Sequence, residues 1–191
     1  GNLLTYQAKL PGKTFTLKQA TKVMVEVLKG PNAFMRKISF TEILSHKTTF
    51  KKSLQRQRFI HIGYKIADFG FARSIGSSGA KTHCGTEKYM APEILSNSYY
   101  GISVDIWAMG VLYYFMIFAE YPFKGHDMKH KSIVDAVILT LVFKPQLKEI
   151  IVERSAAEVE DFFKKIFVVD PKKRIQFSEL KDHPVFAEYA A

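Results

Sequence analysis

The sequence predicts a mainly α-helical domain with one short β element just before Asp68, and three observations carry that prediction. Leu17, Ala20, Val23, Met24, Val27 and Leu28 recur at the spacing of one helix face. The run from Ile106 to Ala119 has no charge and is apolar on nearly every face, so as a helix it must be surrounded by protein. Val159, Phe162, Phe163, Ile166 and Phe167 form a third apolar stripe. At 191 residues, 47% apolar and 24% charged, the chain has the length and composition of one ordinary globular domain.

Each element has its own punctuation. Thr16 with Gln19 makes a capping-box start for the helix 17–28, and Gly30 supplies its stop. Tyr64 to Ala67 is the short strand candidate. From Asp68 to Gly85 the chain is rich in Gly, Ser and Lys, including Gly76-Ser77-Ser78-Gly79, which reads as a loop. Val104 to Ala119 becomes the central post. Ser155 with Glu158 makes a second capping box, ahead of a helix broken at Asp170-Pro171. Ser178 to His183 reads as a last short helix ended at Pro184. No internal repeat is present.

The net charge of +10 is concentrated: between Pro31 and Ala67 there are eight Lys or Arg residues against the single acid Glu42. Such a stretch reads as a nucleic-acid patch or as a solvated, non-native segment, and its lack of apolar period favours the second. One cysteine, Cys84, makes no intrachain disulfide, so a disulfide-stapled scaffold is excluded and a loop-packing role is favoured over a redox switch. No basic-then-apolar segment opens the chain, and the run 106–119 is too short for a bilayer of about 30 Å. The expected setting is cytoplasmic or nuclear, not secreted, with no membrane contact and the oligomeric state open.

Asp68-Phe69-Gly70 alone is a weak signal. Followed by Ala91-Pro92-Glu93 at the end of a Gly/Ser-rich loop, it resembles the activation segment of the eukaryotic protein kinase family. The run Cys84-Gly85-Thr86-Glu87-Lys88-Tyr89-Met90, then Asp105-Ile106-Trp107-Ala108-Met109-Gly110, Tyr121-Pro122-Phe123-Lys124-Gly125, Asp170-Pro171-Lys172-Lys173-Arg174-Ile175 and His183-Pro184 resemble that family in the right order. The resemblance covers roughly residues 1 to 30 and 64 to 187. It implies the large, C-terminal lobe of the protein-kinase-like fold, with ATP and Mg²⁺ as cofactors and a protein as substrate or docking partner.

The resemblance also assigns residues. Asp68 is implied to hold Mg²⁺ against the nucleotide phosphates, since hard oxygen ligands suit that ion; the bland alternative is a turn cap. Thr82 matches the activation-loop phosphosite, with Ser74, Ser77 and Ser78 as lesser candidates and an unmodified hydroxyl as the alternative. Thr86 matches the position that marks Ser/Thr-directed kinases. Glu93 and Arg174 match a buried carboxylate–guanidinium pair, which is scaffold. Asp105 resembles the acid that ties the central helix to the catalytic loop.

Two expected parts are not in this sequence. The first residues look like the point just after the hinge between kinase lobes, so the Gly-rich loop, the strand Lys and its helix Glu are expected to be missing. The His-Arg-Asp catalytic loop is absent as well: neither His46 nor His61 is followed by Arg-Asp. Without it, Asp105 is expected to lose its usual partners and rearrange locally or carry a raised pKa.

The missing loop can be read one frame away, by joining the third base of each codon to the first two of the next. Phe40/Thr41 permits His, Thr41/Glu42 Arg, Glu42/Ile43 Asp, Ile43/Leu44 Ile, Leu44/Ser45 Lys, Ser45/His46 Pro, His46/Lys47 Gln and Lys47/Thr48 Asn. The displaced reading is His-Arg-Asp-Ile-Lys-Pro-Gln-Asn, and its Lys belongs to the Ser/Thr subtype, as Thr86 does. Residues from about Pro31 to about Phe50 are therefore expected to be frame-displaced. The function expected is a protein Ser/Thr kinase by family, truncated and inactive as written. A pseudokinase-like docking module and a nonspecific nucleic-acid binder are the alternatives.

Overall fold

A computed structural model describes residues 3–28, 87–96, 98–123 and 153–189. Among them the regular structure is helical: α1 (Leu3–Gln7), α2 (Leu17–Leu28), α3 (Pro92–Leu95), α4 (Ser103–Phe118), α5 (Glu153–Ile166) and α6 (Phe177–Leu180), with 3-10 turns at Pro11–Lys13, Glu87–Tyr89 and Pro184–Tyr189. The predicted strand 64–67, the loop 69–85, the frame-displaced stretch and the Gly30 stop lie outside the described residues.

Every residue of α4 from Val104 to Tyr114 is buried, as are Met116 and Ile117. A helix apolar all round has no solvent face to present, so the other elements wrap around it. From α2, Thr21 Oγ1 meets the Tyr113 hydroxyl at 2.8 Å in the core, while the Phe15 amide donates to the Met116 carbonyl at 2.9 Å. Gln7 fastens α1 to the same post, its Nε2 donating to the carbonyls of Lys13 and Phe115 at 3.0 Å each.

Helix α5 crosses α4 at Gly110. A Cβ there would sit 2.3 Å from Ile166 Cγ2 and 3.1 Å from the Phe167 ring, so the glycine is required by the close approach of the two helices. The stripe Val159, Phe162, Phe163, Ile166 is buried, and the opposite face carries the i,i+4 pairs Glu160–Lys164 (2.6 Å) and Asp161–Lys165 (2.7 Å).

The start of α2 and the end of α4 have local causes. The Thr16 amide donates to Gln19 Oε1 (3.0 Å) and the Gln19 amide to Thr16 Oγ1 (3.2 Å), which satisfies two donors that the first turn of α2 leaves open. Helix α4 ends on Ala119 at φ 53°, in the left-handed region that favours glycine, with the Ala119 amide closing on the Phe115 carbonyl.

Two expected boundaries move. Helix α5 starts at Glu153, so Ser155 lies inside it and does not cap it. Ser-x-x-Glu is an N-terminal signature only where the chain before it cannot be helical; Glu153 and Arg154 are good helix formers. At the other end, the cap belongs to Gln176, whose amide donates to Glu179 Oε2 at 2.9 Å, and α6 runs 177–180. Pro184 then opens the turn 184–189 instead of only stopping a helix, because a fixed φ and a missing N–H suit the first position of a helical turn.

Candidate functional site

The described residues that the sequence singles out converge where α3 meets the N-terminal end of α4. Ala91 is extended (φ −72°, ψ 155°) and Pro92 is the first residue of α3, so the chain turns sharply and carries Glu93 into the interior. Arg174 comes from the turn after α5. That turn is held by the Asp170 carboxylate, which accepts the Lys172 amide at 3.0 Å, and by the Asp170 carbonyl, which accepts the Arg174 amide at 3.2 Å.

Glu93 and Arg174 meet as a buried, two-pronged pair: Nη1 to Oε1 at 2.8 Å and Nη2 to Oε2 at 3.0 Å, with Arg174 1% exposed. The guanidinium has donors left over, and they are used. Nη1 also donates to the Ser103 carbonyl at 2.8 Å; Nε and Nη2 donate to the Val168 carbonyl at 3.1 and 3.0 Å. Its face lies 5.0 Å from the Trp107 ring. Trp107 in turn stacks on Phe123 at 5.0 Å and meets Phe167 edge-on at 5.1 Å. One arginine thus ties α3, the first turn of α4 and the segment after α5 to one another.

The segment before α3 is clamped to the same post. Tyr89 is buried against Tyr121, ring centroids 5.6 Å apart and edge-on, and burial together with Tyr121 pushes the Tyr89 phenol well above its usual pKa. Lys88 Nζ sits 4.6 Å over the Tyr121 ring, and Met90 and Ala91 are buried. The arrangement is one of positioning: it fixes the strip 88–93 against α4 through neutralised charges and aromatic faces.

Asp105 is 1% exposed in the first turn of α4, beside the Ser103 carbonyl that Arg174 holds. It takes part in an interaction there. Asp68, Thr82, Thr86 and Cys84 lie outside the described residues. Among the described residues no group of three or more His, Cys, Asp and Glu side chains could hold a metal ion, and no helix is long and apolar enough to cross a membrane.

Some parts of this constellation were not singled out as functional from sequence. Trp107 as the face for Arg174, and the carbonyls of Ser103 and Val168, carry no sequence signal beyond a lone Trp two residues after Asp105. The structure also joins His183 to Asp161 at 3.0 Å, which the Asp161/Lys165 spacing did not reveal.

A helical lobe built on a buried central helix, with a carboxylate–arginine clamp under the turn 91–93, defines the class of protein. The protein kinase domain family matches residues 5–186, and the chain belongs to that family. Among its relatives, protein kinase C delta type of Homo sapiens is 38% identical over 125 residues, 64% of this chain and 17% of that protein. The probable serine/threonine-protein kinase fhkE of Dictyostelium discoideum is 36% identical over 128 residues, again 64% and 17%. Aurora kinase of Encephalitozoon cuniculi is 28% identical over 125 residues, 65% of this chain and 43% of that kinase. The chain therefore spans less than half the length of each of these relatives.

Proposed function

We propose that the chain is the large-lobe part of a protein Ser/Thr kinase whose catalytic loop has been lost to a frame displacement between about Pro31 and Phe50, and that as written it transfers no phosphoryl group. The observation that carries this reading is the contrast between two regions of one molecule. Glu93, Arg174 and Trp107 keep a complete buried clamp, while the sequence has no His-Arg-Asp to supply the base that accepts the substrate hydroxyl proton. The relatives named for Ser/Thr kinase activity support the substrate class, as does the match at Thr86.

In this reading Asp68 retains the residue type for Mg²⁺, which would neutralise nucleotide phosphates. Thr82 retains the phosphosite but not its receptor, the Arg of the lost loop. ATP binding is weak or absent and the setting is cytoplasmic or nuclear. Incubation of the chain with Mg²⁺, radiolabelled ATP and a mixed protein substrate is expected to give no labelled product; turnover refutes the reading. Genomic DNA across residues 40–48 tests the displacement separately, because codons incompatible with the eight joins end it.

A second reading, a catalytically dead module that docks protein partners, is favoured by the same intact clamp and by the fully buried α4. Cooperative melting together with capture of a protein partner but no nucleotide distinguishes it. Nonspecific nucleic-acid attraction through residues 31–67 ranks below both, and binding that falls steeply with salt and ignores sequence is its signature.

A further inference from the structure

The turn Pro184–Tyr189 packs on α2 and α5, with Val185 and Phe186 buried. Its first attachment is His183, an imidazole 4% exposed. The ring bonds on both sides. Nδ1 accepts the Val185 amide at 3.3 Å, and Nε2 faces Asp161 Oδ2 at 3.0 Å. An acceptor Nδ1 fixes the ring as the neutral tautomer with its proton on Nε2, donated to Asp161. We propose that His183 is an acid-released latch for the turn 184–189: a proton on Nδ1 sets donor against donor at the Val185 amide and frees the turn from α2 and α5.

Among the described residues the charges acting on the ring are all on α5: Asp161 and Glu158 favour the imidazolium, and Lys165 opposes it. Asp161 is half-exposed and already bonded to Lys165 Nζ at 2.7 Å, so its hold on a charged ring is diluted. Burial wins, and the docked ring takes up a proton less readily than free histidine. The other neighbours do not reverse this. On α6, Glu179 is turned to the Gln176 amide. Lys181 and Asp182 are exposed and 4.0 Å from each other. On α2, Lys18 and Lys22 are exposed and Glu26 is half-buried with a partner of its own. The opening would bare Phe186 and Val185 together with the faces of Phe162 and Tyr113, whose rings lie 5.3 and 6.3 Å from Phe186.

The latch is tested on the full chain by amide hydrogen exchange across pH, with rates normalised to the unprotected peptide. Protection of the Val185 and Phe186 amides is expected to fall about tenfold per pH unit as pH drops below 6.5, the ordinary histidine value. The slope stops at the lower value of the docked ring, while Trp107 and Met109 in α4 stay protected. Asp161→Asn removes a charge that favours the imidazolium, so the slope extends to lower pH; His183→Gln cannot titrate and flattens it. A direct readout guards against a variant that fails to fold: NMR titration of the His183 ring in the unaltered chain is expected to give a midpoint below 6.5. A midpoint at or above that value overturns the latch, as does flat protection of Val185 or parallel loss of protection in α4.

Discussion

Replacing Arg174 with Met removes a side chain that joins three segments of the lobe. The substitution nearly preserves volume, so the loss is electrostatic. Glu93 is left as a carboxylate in the interior, and the Ser103 and Val168 carbonyls lose three bonds between them. Removing one partner of a buried pair costs about 3–5 kcal/mol, mostly from the stranded charge. Total stability of a domain is about 5–15 kcal/mol, so Arg174→Met is expected to bring the chain close to unfolding. For a domain of this size each kcal/mol shifts Tm by about 2–4 °C, which puts the expected drop at about 6–20 °C. The assay is urea denaturation with far-UV circular dichroism, extended to Arg174→Lys and to the double variant Glu93→Leu/Arg174→Met. Lys keeps the charge but not the fork and should fall between wild type and Met. The double variant should recover most of the loss, since an apolar pair in place of a buried ion pair is often neutral or stabilising. A loss below about 1 kcal/mol for Arg174→Met, or a double variant no better than the single one, refutes the clamp as a structural tie.

Three further outcomes follow from the packing. Gly110→Ala drives a methyl into Ile166 and the Phe167 ring, at 2.3 and 3.1 Å, and is expected to cost about 1–3 kcal/mol by overpacking; denaturant midpoints check it. Ala119→Gly relieves a left-handed alanine at φ 53° after α4 and should stabilise by about 1 kcal/mol, read from the same curves. The Lys165 bond, with help from His183, holds the Asp161 carboxyl below its usual 3.8, so the stability it contributes is fully present above that value and is lost as pH falls below it through the lowered value of the folded chain. Asp161→Asn should therefore flatten that part of the acid limb in thermal melts.

The helices legible in the sequence were those whose signal is local. Leu17 to Leu28 needs only its own periodicity and the Thr16/Gln19 box, and both ends of α4 fall within one residue of the expected post 104–119, whose apolar residues face nearly every side. The Ser155 cap misled, because a capping signature inside a run of helix formers does not fix a boundary. Glu93 and Arg174 could be paired from the family resemblance, but nothing local in either segment says that Trp107 and the Ser103 and Val168 carbonyls complete their surroundings. Those partners lie up to 71 residues from Arg174 in the chain. His183–Asp161 is the same case across 22 residues. Gly110 reads as an ordinary helical glycine until Ile166 is seen against it.

The separation between scaffold and chemistry that the proposed function assigns to this chain has a physical reason. Arg174 draws its five donors' worth of satisfaction from Glu93, Ser103 and Val168, all inside the described lobe, so the clamp closes without any residue from the segment 31–67. Helix α4 likewise packs against α2, α5 and the turn Glu87–Tyr89. A lobe whose buried ion pair is satisfied among its own segments tolerates a scrambled catalytic segment better than one whose ion pair leaned on that segment. Phosphoryl transfer has no such tolerance, since a base and a metal ligand must stand within hydrogen-bonding or coordination distance of the reacting atoms. The chain can therefore lose its activity while its scaffold stays folded, and if the Arg174→Met loss and the flat kinase assay are both observed, that is the state they describe.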